Sequence, residues 1–443
     1  MKFLLLLAPL VLFAQDTRNV TEPAIPPVCT TLVSQLHTDL SEADETKLDT
    51  ARIQQAIDNC DKGKAVELKA ADGRGSAFLS GPLELRSGVT LLIGSGTTLL
   101  ASRNPREYDV TPGACGVVSQ TGRGCKPLIS VRNANDTAVM GNGTIDGRGG
   151  AKLLGQKVSW WDLAEQARTA GNQNCPRLVA TSHSDNFTLY RITLKNSPNF
   201  HVVFGQGNGF TAWGVTIDTP GKGARNTDGI DPANATNVTI THSFIHTGDD
   251  NVAIKAGPAG PSTHMTISHN HFYSGHGMSI GSETDGGASA IRVTDLSIDG
   301  ADNGLRIKSN IGRGGLVRDI VYEDVCIRNT GNPIYMDPTY SAAPVTTPNK
   351  PPTFTEILMR NVRVVGPGTI TLKGLDAQHH LGIAFDNVTI DAAEKFDASH
   401  ADIQFGPGPV NFRPSGEDVK VTGNPGKGQF ASCEGKFVPL PHN

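Results

Sequence analysis

The sequence predicts an all-β fold, a right-handed parallel β-helix (solenoid) with a short N-terminal capping helix. Composition is the first observation: Gly accounts for 50 of the 443 residues and aromatics for only 6%. The β-branched residues sit in short runs cut by Gly, Asn and Asp, which reads as many short strands joined by many turns. The second observation is a template of eight residues, apolar at its first, third and eighth positions, that recurs nine times. The third is its spacing, since most copies start about 23 to 29 residues apart, too short for a propeller blade of about 40 to 50. Period two within a unit means a strand with one buried face. A near-constant interval between units means stacked coils that bury this face only against their neighbours.

Taken in chain order, residues 1–14 (MKFLLLLAPLVLFA) carry one lysine, an apolar stretch and Ala14 before a plausible cleavage point. They read as a secretory signal peptide, well short of the roughly 20 apolar residues that span a bilayer. Residues 15–443 are then expected to form one β-helix domain, exported to the extracellular space or a periplasm, with no membrane contact once the signal is removed. The N-terminal cap falls at about 48–62, where Ile53, Ala56, Ile57 and Cys60 share one helical face behind Asp49 or Thr50 as cap.

The nine copies start at Ala138 (with Met140, Ile145), Phe187 (Leu189, Leu194), Phe210 (Ala212, Ile217), Val238 (Ile240, Ile245), Met265 (Ile267, Phe272), Ile291 (Val293, Ile298), Ile320 (Tyr322, Ile327), Ile357 (Met359, Val364) and Ile383 (Phe385, Ile390). Two longer intervals hold insertions: a helix in SWWDLAEQARTA capped by Ser159, and the proline-rich loop PVTTPNKPPTF. The C-terminal cap is expected after about residue 391. Seven cysteines suit an oxidising compartment. Cys115 with Cys125 is the first expected pair and Cys29 with Cys60 the second, while the odd count leaves at least one thiol over. No pair has the CxxC spacing of a zinc or redox site. A net charge of -4 argues against a nucleic-acid partner, and a monomer is expected.

A second apolar column, Ile230, Ile254, Ile280, Ile307 and Met336, tells which polar groups meet on one wall. Beside it lie Asn226 and Asp228 in NTDGID, Asp249 and Asp250 in GDDNVAIK, His276 in SGHGMSIGSE, and Arg306 and Lys308 in LRIKS. Adjacent parallel strands are about 4.8 Å apart, so these coils would gather three carboxylates, an imidazole and two cations into a single patch. Arg306 and Lys308 flank Ile307 and would point out together if that isoleucine points in. Three carboxylates so close cannot all ionise at ordinary pKa values, so one of them should hold a proton at mildly acidic pH.

In order and spacing, NTD, GDD, GHG and RIK resemble glycoside hydrolase family 28, the polygalacturonases. The stretches NSPNFHVVF, ARNTDGIDP, TGDDNVAIKA, GHGMSIGSET and NGLRIKS are most similar to its bacterial endo-acting members. The resemblance implies endo attack, with inversion, on the α-1,4-galacturonosyl linkages of polygalacturonic acid in pectin, and no cofactor or metal. It assigns the acid to Asp249 and water activation to Asp228 and Asp250, and it puts Tyr340 against the sugar. Arg306 and Lys308 would grip substrate carboxylates. His276 would hydrogen-bond near the acid, and Asn226 would orient Asp228 or bind substrate.

Several motifs read as structural. His242, His246, His269 and His271 suggest stacked corners more than a metal cluster. Trp160 and Trp161 would pack the inserted helix, and GQGNG lacks the helix a dinucleotide loop needs. The sequons at Asn186, Asn237 and Asn387 mark turns. The rival functions are an exo-acting or branched-pectin hydrolase, a calcium-dependent pectate lyase, and an inactive carbohydrate-binding β-helix.

Overall fold

The computed structural model describes residues 15–71, 76–340 and 350–441, so residues 1–14 and most of the proline-rich loop lie outside the described residues. Among the described residues, twenty-nine strands join into one continuous ladder, paired parallel from Val28–Val33 to Glu417–Thr422. The ladder winds into three walls of a parallel β-helix, and parallel crossovers take the right-handed sense. From Ser262–Phe272 onward the first two walls run together as single long strands, bent at a corner.

The template is the register of the first two walls. Phe187, Phe210, Val238, Met265, Ile291, Ile320, Ile357 and Ile383 pair in succession. The eighth positions pair likewise from Ile145 through Leu194 to Ile390. The first copy is shifted by one. Val139, not Met140, stands opposite Leu189 and enters the core, while Ala138 and Met140 join an outer cluster with Ala65, Leu92 and Tyr190. The corner between Val139 and Ile145 is one residue longer than its successors, and a one-residue slip in a strand exchanges its faces. The second column also needs one correction, because Ile230 pairs with Val252 rather than Ile254. That slip is of two residues and leaves every side chain on its expected face.

Both ends are covered by the chain itself. The N-terminal helix α1 (Thr50–Asn59) buries Ile53 and Ile57 against the core. Its Asp49 carboxylate accepts from Leu79 N at 3.1 Å instead of capping its own helix. At the other end the stack continues beyond residue 391, correcting the expected start of that cap. Strand Leu381–Phe405 turns a corner and pairs with Glu417–Thr422, and Phe412 packs against Phe385, Phe396 and Phe405.

The segment before the first strand lies along the outside of the first wall, where Asp16 bonds Thr239 and Thr266 and Glu22 bonds Tyr190. The C-terminal tail is fixed to the second wall by the Cys326–Cys433 disulfide and by Lys436 on Asp295. Cys29–Cys60 and Cys115–Cys125 also form, and Cys175 is free and buried. The inserted helix α2 (Trp160–Ala170) starts with a capping box between Ser159 and Asp162. Trp160 meets Tyr108 edge-on, and Trp161 Nε1 donates to Ser197 O at 2.9 Å, so both indoles hold the insertion to the coils. His242 stacks between Trp213 and His269. No helix among the described residues is long and apolar enough to cross a membrane.

Candidate active site

The third wall carries the chemistry. Its strands Ile230–Ala233, Val252–Ile254, Met278–Gly281, Asn303–Lys308 and Asn332–Asp337 lie side by side. Asp228, the pair Asp249 and Asp250, and His276 each occupy the turn leading into one of these strands. All eight residues singled out from the sequence, Asn226, Asp228, Asp249, Asp250, His276, Arg306, Lys308 and Tyr340, line one groove of about 600 Å³. Oxygens of Asp228, Asp249 and Asp250 lie within 4.8 Å of one another.

The three aspartates are held differently. Asp250 is almost sealed: its Oδ1 accepts from Arg306 at 3.2 Å and Ser279 at 2.8 Å, and its Oδ2 from Lys308 at 2.7 Å. Burial would push its carboxyl up, but Lys308 and Arg306 outweigh that and keep it ionised far below the usual carboxylate range. Asp228 shifts the opposite way. Burial first, then the charges of Asp231 and Asp249, raise its carboxyl well above the ordinary value although Lys255 stands 3.4 Å away. Asp249 is the most open, with 19% of its side chain exposed against 4% for Asp228 and 1% for Asp250.

Several expected contacts take another form. His276 Nε2 lies 4.0 Å from Asp249 Oδ1, beyond a direct hydrogen bond, while its Nδ1 faces Asp302 at 3.3 Å. Asn226 reaches Asp249 Oδ2 at 3.5 Å rather than Asp228, and accepts from Gln173 at 3.0 Å. Arg306 and Lys308 do project outward beside inward Ile307, where both line the groove and also bond Asp250. Tyr340 lies over both cations, 5.2 and 5.4 Å from its ring centre.

Four further residues meet the site beyond those expected from the sequence, three of them legible in the alternation. Asp231, Lys255 and Ser279 follow inward residues on the third wall and therefore face the groove side. Lys255 Nζ lies 3.4 Å from both Asp228 and Asp231, and burial, with Asp250 adding, drives the Asp231 carboxyl up to about 7 despite that lysine. The fourth, His201, is fully buried between Asp228 O and Thr219 Oγ1. Burial lowers its imidazole to about 4, so it acts as a neutral strut. The helix α2 insertion supplies Glu165 and Arg168 to the rim, a contribution no local pattern signals. Lys255, Arg306 and Lys308 already provide the positive charge that a divalent ion would bring to these carboxylates.

A family model described as glycosyl hydrolases family 28 matches residues 60–404. An endo-polygalacturonase of Pectobacterium carotovorum subsp. carotovorum is 46% identical over 85% of this chain and 90% of its own. A polygalacturonase of Ralstonia nicotianae is 41% identical over 95% and 92%. Among solved structures, a polygalacturonase from Erwinia carotovora ssp. carotovora superposes with a TM-score of 0.78 at 41% identity, covering 92% of this chain and 100% of that one. A family 28 exopolygalacturonase of Yersinia enterocolitica gives 0.69 at 25% identity, covering 87% and 77%.

Proposed function

The chain belongs to glycosyl hydrolases family 28, and from that premise we propose that it is an exported, monomeric endo-polygalacturonase, a single catalytic domain that hydrolyses α-1,4-galacturonosyl linkages with inversion. The observation that carries this is the carboxylate trio within 4.8 Å on the floor of a groove bearing Arg306 and Lys308. Glycosidic hydrolysis needs a proton for the leaving oxygen and a carboxylate to attack or to activate water. The set holds both, because burial keeps a proton around Asp228 and Asp231 while two cations keep Asp250 charged. Such groups titrate together, and the individual roles follow exposure. Asp249, opening to the groove, protonates the leaving oxygen. The proton held around Asp228 reaches the leaving oxygen through Asp249, so that Asp228 is left ionised and, with Asp250, takes the proton of the attacking water.

Inversion is supported by how Asp250 is held. Both its oxygens are engaged and it is 1% exposed, which leaves neither free to bond to carbon as a nucleophile must. The trio is nonetheless tighter than the roughly 6.5–9.5 Å usual between acid and base in inverting enzymes, so the stereochemistry needs its own measurement. The first product seen by proton NMR should carry the β-anomer, and an initial α-anomer would overturn inversion.

Substrate is recognised by charge. Each galacturonate brings a carboxylate, and Arg306 and Lys308 can meet it at the edge of the groove with Tyr340 against the ring. Export is supported by three disulfides, which persist in oxidising compartments. The deciding experiment follows viscosity and reducing ends together on polygalacturonate. Viscosity should collapse well before the ends accumulate, and Asp249→Asn should lower kcat by about 10²–10⁴-fold. Ends rising in step with viscosity loss would indicate exo attack; an unsaturated product that disappears with chelator would make the protein a lyase.

A further inference from the structure

At the C-terminal end of the stack, away from the catalytic groove, three successive segments bring together His380, His400 and Asp418. His380 precedes strand Leu381–Phe405, His400 lies within it, and Asp418 sits in Glu417–Thr422. His400 and Asp418 occupy stacked corners, with φ of 48 and 50°. His380 Nε2 is 2.7 Å from Asp418 Oδ2, and His400 Nδ1 is 3.4 Å from the same oxygen. The other nitrogen of His380, Nδ1, lies 3.1 Å from Asp402 Oδ2. Lys420 Nζ stands 3.4 Å from the remaining oxygen, Asp418 Oδ1.

The second observation is that His380 has a carboxylate at each ring nitrogen. A neutral imidazole has a single N–H, yet both nitrogens here face carboxylates at bonding distance. If Nδ1–H donates to Asp402, Nε2 turns a lone pair toward Asp418 Oδ2 2.7 Å away, a pairing that either a second ring proton or a cation bound to both atoms would satisfy. Histidine oriented by a carboxylate behind it, with its free nitrogen beside a second imidazole and another carboxylate, is a common arrangement around zinc. The three ligand atoms lie within 4.8 Å of one another. The 3.4 Å edge is close to the roughly 3.3 Å between ligands of a tetrahedral ion with bonds near 2.05 Å, and the 2.7 Å edge would have to open to that length as an ion replaced the hydrogen bond.

We propose that this corner is a structural site for a borderline divalent cation of the zinc class, held by His380 Nε2, His400 Nδ1 and Asp418 Oδ2, with Asp402 orienting His380 from behind. Such an ion fastens the last coil, where a solenoid has no following neighbour. None of these residues lines the catalytic groove.

The test is equilibrium dialysis of the full chain, stripped with chelator and then offered Zn²⁺. One ion per chain should bind, the thermal midpoint should rise on binding, and Co²⁺ should give the absorption of a tetrahedral ion. Asp402→Asn should weaken Zn²⁺ binding by about 10–100-fold, and His380→Ala with His400→Ala should abolish it without lowering turnover of polygalacturonate. The wild-type Co²⁺ spectrum keeps the test valid if the variant misfolds. One ion still bound by the double variant, which would point to the catalytic aspartates, overturns the proposal. So does a wild type that binds none, for then a proton and not a metal ion joins His380 to the two carboxylates.

Discussion

Asp228 and Asp250 are two carboxylates of one site under opposite electrostatic control. Asp250 faces Arg306 and Lys308, whereas Asp228 shares Lys255 with Asp231 and is buried beside further negative charge. Stability must then depend on pH in two directions. Asp231 and Asp228 have raised folded pKa values, so their contribution is fully present below about 3.9, the unfolded carboxylate value, and is lost as pH climbs; for Asp231 that loss completes near 7. Asp250 is depressed, so its contribution is present above about 3.9 and disappears as pH falls below that. Thermal melting against pH should therefore peak on the acid side of neutrality. Asp231→Asn should flatten the descent between about pH 4 and 7; an unchanged slope would mean that Asp231 is already ionised there. The residue types and their meeting place were readable in NTDGID and GDDNVAIK. Their separate charge states were not, because Lys255 and Lys308 reach them from other coils.

Coils are set by alternation and by corners. Seven successive first-wall pairings follow the apolar template, and the one slip, at Val139, comes from a corner one residue longer. Apolar Ala138 and Met140 hid that slip, since both are also buried, in the outer cluster. Corners recur as left-handed polar residues: Asn186, Asn237 and Asn387 have φ between 54 and 58°, and their amides bond from coil to coil, as Asn237 does to Asn208. The turn reading of the sequons therefore has a physical basis, because a left-handed non-glycine residue costs roughly 1–2 kcal/mol unless its side chain compensates. Asn237→Ala should lower stability by about that amount, and Asn237→Gly should lower it less. Equal midpoint shifts for the two variants would show that the amide bonds, and not the backbone angle, dominate.

Over the whole molecule, the two terminal segments lie along the first and second walls and leave the third wall free for its groove. The tail depends on Cys326–Cys433, which closes a loop across 107 positions of sequence. Chain-entropy reasoning gives such a loop about 4.7 kcal/mol. Replacing both cysteines by serine should lower the thermal midpoint while leaving kcat on polygalacturonate nearly intact, because the tail contacts residues remote from the groove. A large loss of kcat at temperatures where the variant is folded would refute that separation.

By itself the sequence determined the solenoid, its capping helix and the wall on which seven polar residues would gather, and it offered as expectations two of the disulfide pairs that form. Alternation and coil length are local properties, so a single strand already reveals which way its side chains face. Tertiary structure alone decided which aspartate keeps a proton, which cations are already engaged, and which segments cover the other two walls. Those outcomes depend on burial and on charges a few ångströms away in space, such as Lys255 beside Asp228 and Lys308 beside Asp250, that lie more than twenty residues away along the chain.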